Sequence, residues 1–352
     1  MTIAPPAPGT FPAVALEPLF GDGGADEVIA VAHSYGSHKM YSAQEMDHPI
    51  TKGLFARHDA VANFLRTGGR LGRSADDRAT LGARTNYFRE DYAYGEEAAT
   101  PGIDRFLHHP GFVDAAREVF GLPIIEPAIV FANFFVPGQE LAVHTDVPEF
   151  RGCNRRVMPQ WLLAAMHHSG LFDAWRMPIA TGIAWFHDCD GGALSYWPEG
   201  ADGPVVVHPV RKDTALVLDT DSVFHGVDPL ATAVEMPPLR PGMSLRHVAG
   251  PVGDDAVWAV IDEGDALGNG VGSEVARYAW SQLRFSVSWK AYCFADEAER
   301  EAWRAHDDDL TIDRVLEVMM ADLRERGVLG NALPPHPGVA EAIIDTYIQF
   351  PR

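Results

Sequence analysis

Val143-His144-Thr145-Asp146 decides how this chain is read, and Phe224-His225-Gly226-Val227 is its partner downstream. Residues i and i+2 of a strand point to the same face, so an extended His144-Thr145-Asp146 presents an imidazole and a carboxylate side by side. His225 follows Asp146 by 79 residues (225 − 146 = 79), a distance that neighbouring strands of one barrel would close. Two imidazoles and one carboxylate suit Fe(II) and leave positions on the metal open for other ligands. A lone His-x-Asp in a chain with 15 histidines is a weak signal. Its competing reading is a surface loop.

The surroundings read as strands. Residues 128–136 are rich in β-branched and aromatic side chains and stop at Pro137-Gly138. Residues 141–146, 161–166, 181–187, 193–197, 205–210, 214–218 and 283–292 repeat that character, with Gly, Pro and Asp between them. Short strands so spaced predict a barrel or sandwich. Helices flank it. Residues 50–125 read mostly helical, with Val61, Phe64 and Leu65 in one helix and Val113, Ala116 and Phe120 in another. Ile312, Val315, Leu316, Met319, Met320 and Leu323 form one apolar helical stripe near the C-terminus. The domain expectation is a loose arm or surface strand over residues 1–25 and a single domain over 26–352. Within it, a β core spans about 125–292 and C-terminal helices about 296–348. Residues 228–283 carry many prolines and glycines and are expected to be an irregular insertion or lid.

Composition narrows the function class. Of the 352 residues, 49 are acidic and 28 basic, a net charge of −21. Such a charge repels phosphate, which argues against nucleic acid and membrane surfaces as partners. Three scattered cysteines suit a reducing cytoplasm with free thiols, and no Cys-x-x-Cys zinc pair is present. The N-terminus lacks the basic and apolar regions of a signal peptide, and no apolar run is long enough to span a bilayer.

Four pieces together carry a family resemblance. Asn133-Phe134-Phe135-Val136-Pro137-Gly138-Gln139-Glu140-Leu141-Ala142-Val143-His144-Thr145-Asp146 resembles the strand, turn and strand leading into the iron motif of Fe(II)/2-oxoglutarate-dependent dioxygenases. Gly191-Gly192-Ala193-Leu194 is similar to the Gly-Gly pair before a central strand of that superfamily. Asp221-Ser222-Val223-Phe224-His225-Gly226-Val227 resembles the turn with its distal histidine, and Arg284-Phe285-Ser286 its Arg-x-Ser motif. The resemblance implies a mainly β fold with a double-stranded β-helix (jelly-roll) core. It implies iron held by His144, Asp146 and His225, and 2-oxoglutarate as cosubstrate. Related halogenases carry a small residue where this chain has Asp146, so the resemblance favours oxygenation over halogenation.

A dicarboxylate needs a cation, and arginine offers two parallel hydrogen bonds. Arg284, Ser286 and Ser288 share one face of their strand while Leu283, Phe285, Val287 and Trp289 share the other, as a carboxylate anchor inside a barrel requires. Arg284 follows His225 by 59 residues (284 − 225 = 59), against about a dozen in many members of the family, so Arg240 and Arg246 stand as alternative anchors. Asn133 falls at a position that often contacts the cosubstrate, and Phe135 replaces a tyrosine found in some relatives. For the substrate, the loop with Arg151, Arg155 and Arg156 could bind a carboxylate or phosphate, and Trp161 could line the pocket; a solvated loop and a core tryptophan are the competing readings. The expected reaction is hydroxylation of a small metabolite with dioxygen. A related iron oxidase without 2-oxoglutarate and a non-enzymatic cupin-like binding module are the alternatives.

Overall fold

Strands in this chain alternate between two sheets, and that alternation builds the site. A computed structural model describes residues 9–41, 48–68, 86–95, 100–231, 234–253, 255–264, 272–306 and 308–351. In chain order the strands are β1 (Ala13–Leu16), β2 (Ser37–Met40), β3 (Phe88–Tyr94), β4 (Ile124–Phe135), β5 (Leu141–His144), β6 (Glu149–Phe150), β7 (Arg176–Met177), β8 (Ile179–Trp185), β9 (Leu194–Tyr196), β10 (Val206–His208), β11 (Thr214–Leu218), β12 (His225–Val227), β13 (Met243–Ala249), β14 (Val257–Asp262), β15 (Ser273–Ala279) and β16 (Arg284–Phe294). The helices that matter here are α1 (Gly24–Tyr35), α2 (His58–Thr67), α3 (Pro110–Phe120), α4 (Gln160–Ser169), α5 (Glu297–Ala305), α6 (Ile312–Glu325) and α7 (Gly338–Tyr347).

Among the described residues, one sheet has ten strands with β11-β8-β16-β4 inside it, and a second has the order β10-β9-β12-β5. Pairings within these two quartets are antiparallel. The chain visits the large sheet at β4, the small at β5, the large at β8, the small at β9 and β10, the large at β11, the small at β12 and the large at β16. This is the jelly roll expected from the sequence. Ile183, Trp185, Leu216 and Leu218 of the large sheet meet Leu194 and Tyr196 of the small one in a shared core.

The alternation on β16 is real and does two jobs. Phe285, Val287, Trp289 and Ala291 enter the apolar core on the outer side of the large sheet, where α1 and α3 pack. Burying one such large side chain contributes roughly 1.5–3 kcal/mol. Helix α3 starts at Pro110, where the His109 side chain accepts from the Gly111 amide (3.2 Å), and stops at Gly121 in the left-handed conformation (φ 65°). It lays Phe112 parallel to Trp289, with ring centroids 5.1 Å apart. A Cβ on Gly182 of β8 would meet the Phe112 ring at 2.7 Å, so Gly182→Ala breaks this packing.

Four expectations are corrected. Residues 161–166 lie in helix α4, not a strand. All but the last three residues of α4 are buried, so no amphipathic period marks it. The 50–125 region contains strand β3 as well as helices. Of the loose arm or surface strand expected over residues 1–25, residues 13–16 are the strand, β1, paired with β11 on the edge of the large sheet, and the boundary moves because α1 already begins at Gly24. Residues 228–283 are not an irregular lid: β13, β14 and β15 form an antiparallel meander that extends the large sheet beyond β2. A second core gathers Trp161, Met166, Val315, Met319, Leu323 and Ile343 from α4, α6 and α7.

Candidate metal and cosubstrate site

Strands β5 and β12 pair with His225 opposite His144, which sets the two imidazoles with ring centroids 4.4 Å apart. Gly226 allows the approach, because a Cβ there would lie 2.9 Å from the Leu141 carbonyl oxygen. The chain then turns at Thr145, and Asp146 swings in below. Its amide donates to the Thr220 carbonyl (2.8 Å), and Arg57 donates to the Thr145 carbonyl (2.7 Å). Asp146 Oδ1 ends 3.6 Å from Nε2 of both histidines, and the three ligand atoms lie within 4.8 Å of one another.

The surrounding hydrogen bonds orient this triad for a metal. His144 Nδ1 lies 2.7 Å from the Ala142 carbonyl and His225 Nδ1 2.9 Å from the Val223 carbonyl. A carbonyl can only accept, so each Nδ1 carries the proton and each Nε2 turns a lone pair inward. Burial, with His225 alongside, lowers the His144 pKa to about 4, which keeps the ring in the neutral, ligating form. Asp146 Oδ2 accepts from Lys290 Nζ (2.8 Å) and Thr220 Oγ1 (2.7 Å), leaving Oδ1 to face the imidazoles. Burial would raise the Asp146 pKa, but Lys290 and the two histidines hold it well below the usual carboxylate range. Lys290 also donates to Thr181 Oγ1 (2.9 Å). Behind it lies Asp221, fully buried, its carboxyl oxygens without a hydrogen-bond partner among the described residues and its pKa pushed up to about 7 by that burial.

A cavity between the two sheets is lined by the triad and by Arg284. Arg284 is 2% exposed; its Nε donates to the Gly192 carbonyl (2.7 Å) and its Nη1 to Ser286 Oγ (2.9 Å). It has no acid partner among the described residues. Burial lowers its pKa to about 10, so it remains a cation at neutral pH. Gly191 and Gly192 are both left-handed (φ 82° and 66°), and a Cβ on Gly192 would strike Arg284 Cδ at 2.8 Å. The Gly-Gly pair therefore makes room for the guanidinium. Phe135 stands opposite Arg284, its ring centroid 5.2 Å from the guanidinium carbon. Asn133 donates to Ser288 Oγ (2.8 Å), and its Oδ1 is buried with no hydrogen-bond partner. A buried arginine with no acid partner and a serine hydroxyl beside it fit a bound dicarboxylate far better than an empty core.

The structure thus gathers His144, Asp146, His225, Arg284, Ser286 and Asn133 around one cavity. Arg155 lines an adjoining cavity that shares His144 and Asp146. Arg151 is not brought to either: its guanidinium grips Asp308 (2.7 and 2.8 Å) and the Ala174 carbonyl (2.7 Å). Trp161 is core, 1% exposed among α4, α6 and α7. Arg156 lies over the Tyr94 ring. The alternative anchors turn elsewhere, Arg240 to Asp262 and Arg246 to Glu263. The meander β13–β15 accounts for the long gap before Arg284, and none of its residues lines either cavity. Lys290, Thr220, Arg57 and Arg89 were missed. Lys290 had a signal, since it continues the inward stripe of Arg284, Ser286 and Ser288; the others are placed by tertiary contacts.

No family model matches this sequence, and no curated protein matches it. Solved structures do. Its structural neighbours are 2-oxoglutarate–Fe(II) oxygenases. A Burkholderia pseudomallei oxidoreductase of the 2OG-Fe(II) oxygenase family is similar over 71% of this chain and 93% of its own, at 11% identity and a TM-score of 0.33. HygX from Streptomyces hygroscopicus, solved with nickel, 2-oxoglutarate and hygromycin B, is similar over 81% of this chain and 84% of its own, at 11% identity and a TM-score of 0.38. A prolyl-4-hydroxylase from Pseudomonas putida covers 76% and 98%, at 11% identity and a TM-score of 0.30. No helix among the described residues is long and apolar enough to cross a membrane.

Proposed function

We propose that this protein is a non-haem Fe(II)- and 2-oxoglutarate-dependent oxygenase that hydroxylates an unactivated C–H bond of a small metabolite. One observation carries the reading: a metal-ligand triad and an acid-free buried arginine line the same cavity. His144, Asp146 and His225 would hold the metal through Nε2, Oδ1 and Nε2. Arg284 and Ser286 would hold the far carboxylate of 2-oxoglutarate, and the Asn133 amide would line its path. Bound together, iron and 2-oxoglutarate supply an oxidant drawn from dioxygen, with succinate and carbon dioxide as coproducts.

The chain's own residues orient and protect. The Ala142 and Val223 carbonyls hold both imidazoles in one tautomer, and Lys290 with Thr220 stops the carboxylate from chelating through both oxygens. Phe135, Leu194 and Val227 give the cavity apolar walls that exclude water. The free cysteines Cys153, Cys189 and Cys293 suit a cytoplasmic setting. Anaerobic addition of Fe(II) and then 2-oxoglutarate should produce the visible charge-transfer band of the chelate, and His144→Ala should abolish it. Oxygen uptake that ignores 2-oxoglutarate would replace this reading with the oxidase one. Failure to take up stoichiometric iron would leave a binding module.

A further inference from the structure

The second cavity meets the first at Tyr87, Phe131, Leu141, His144 and Asp146. Its charge is out of character for a chain of net charge −21. Four cations, Arg57, Arg89, Arg155 and Lys290, line it against a single carboxylate, Asp146. Three of the four are engaged. Lys290 is held by Asp146. Arg57 chelates Asp59 (3.0 and 2.7 Å). Arg89 grips Asp91 and lies flat over Phe131, its guanidinium carbon 3.6 Å from the ring centroid.

Arg155 is the exception. It makes no hydrogen bond or ion pair among the described residues, and its Nε is buried without a partner. Glu149, whose field reaches it, instead accepts from the Tyr292 hydroxyl (2.9 Å). A half-buried guanidinium whose Nε has no acceptor gains by pairing with an anion that enters the cavity. Beside it, Tyr41 receives the Gln160 amide (2.9 Å) and keeps its own hydroxyl proton to donate. Tyr41 and Tyr87 stack in parallel, 6.1 Å apart.

We propose that the substrate is a small acidic molecule whose carboxylate or phosphate pairs with Arg155 and Tyr41, and whose apolar body lies along Tyr87 and Phe131 toward the metal ligands. His144 and Asp146, which line both cavities, would then stand between two anion-binding ends, Arg284 for the cosubstrate and Arg155 for the substrate. The oxidation itself rests on the oxygenase reading; the anion preference rests on this cavity alone.

Three probes of similar shape test it: phenylacetate, phenyl phosphate and the neutral 2-phenylethanol. Each is titrated by ligand-observed NMR into the full-length protein, metal-free and again with Ni(II) and saturating 2-oxoglutarate. The expected result is that at least one anion binds at least about tenfold tighter than the alcohol in both conditions. Arg155→Gln should erase that preference and Arg155→Lys should retain part of it. The stronger anion identifies the carboxylate or the phosphate as the recognised group. Equal affinity for the alcohol, no anion binding, an unchanged preference in R155Q, or displacement of the anion by 2-oxoglutarate would each overturn the assignment. The wild-type contrast decides the matter even where R155Q fails to fold. Should 2-oxoglutarate itself fail to bind while the anion preference persists, the oxygenase reading falls and this one stands.

Discussion

The two compartments that meet at His144 and Asp146 are built by different means. On the Arg284 side the polar groups come from paired strands: Asn133 from β4, and Arg284, Ser286 and Ser288 from β16, in continuous register. On the Arg155 side Arg89 and Lys290 also stand on strands, β3 and β16, but the remaining polar groups come from the ends of elements. Arg57 precedes α2, Tyr41 follows β2, Asn86 and Tyr87 precede β3, and Arg155 lies in the turn before α4. A ladder of hydrogen bonds fixes side-chain direction every second residue, so a strand-built wall is set by the sheet itself. A wall of loop ends is set by whatever packs behind it and changes more easily. The contrast suits the split of duties proposed above, with one fixed cosubstrate on the strand side and a chain-specific substrate on the loop side.

The largest perturbation should remove the feature both compartments share. His144→Ala or Asp146→Ala should lower affinity for Ni(II) or Fe(II) by more than about 100-fold, beyond the loss expected for an outer partner of a ligand. Metal content after dialysis is the measurement, and stoichiometric iron in either variant would dissolve the proposed centre. Arg284→Gln should separate the two sides. With a buried charge left unpaired, 2-oxoglutarate affinity should fall about 100-fold, while metal affinity and anion binding at Arg155 hold within about twofold. Calorimetry with Ni(II)-loaded protein distinguishes this from a general collapse, in which all three would fall.

Lys290→Met reaches the metal through Asp146 alone. It should cost about 10- to 100-fold in metal affinity, because Oδ2 loses its cation and Asp146 is free to turn. An unchanged affinity would show that Thr220 suffices. The smallest effect concerns the scaffold behind both sides. Burial lowers the pKa of His38 to about 3 and of His167 to about 2, from 6.5. Below pH 6.5 the unfolded chain takes up protons that the folded one refuses, so stability is full above that pH and declines as the pH falls toward 3. The Tm of metal-free protein should be flat from pH 8 to 7 and fall by several degrees between 6.5 and 5. A flat profile throughout would mean these rings find partners for their charge.

What could be read from the sequence follows the same division. The alternation Arg284-Phe285-Ser286-Val287-Ser288-Trp289 showed an inward polar stripe because strand geometry converts spacing directly into direction. His144 and His225 were legible through their local turns, although their direct pairing across β5 and β12 was not. Trp161 was misplaced because α4 is apolar on all sides, and a short apolar run has the same appearance in a buried helix as in a buried strand. Arg151 and Arg155 stand four residues apart in one arginine-rich loop and looked equivalent. Only the approach of Asp308, from 157 residues away, neutralises the first and leaves the second. The meander β13–β15 was hidden by its prolines and glycines, which mark its turns and not an absence of strands.

Strand β16 enters between β4 and β8, both of which lie far earlier in the chain. A chain growing from its N-terminus has every metal ligand in hand at His225, yet it lacks Lys290 and Arg284 until the meander has also been made. The order of synthesis therefore separates two events that function requires together. In chain order the candidate metal ligands come first, and the strand that restrains Asp146 and supplies Arg284 comes last, between β4 and β8. Pairing over such separations is slow to form. On the proposed reading the cosubstrate pocket is complete only with β16 seated between β4 and β8.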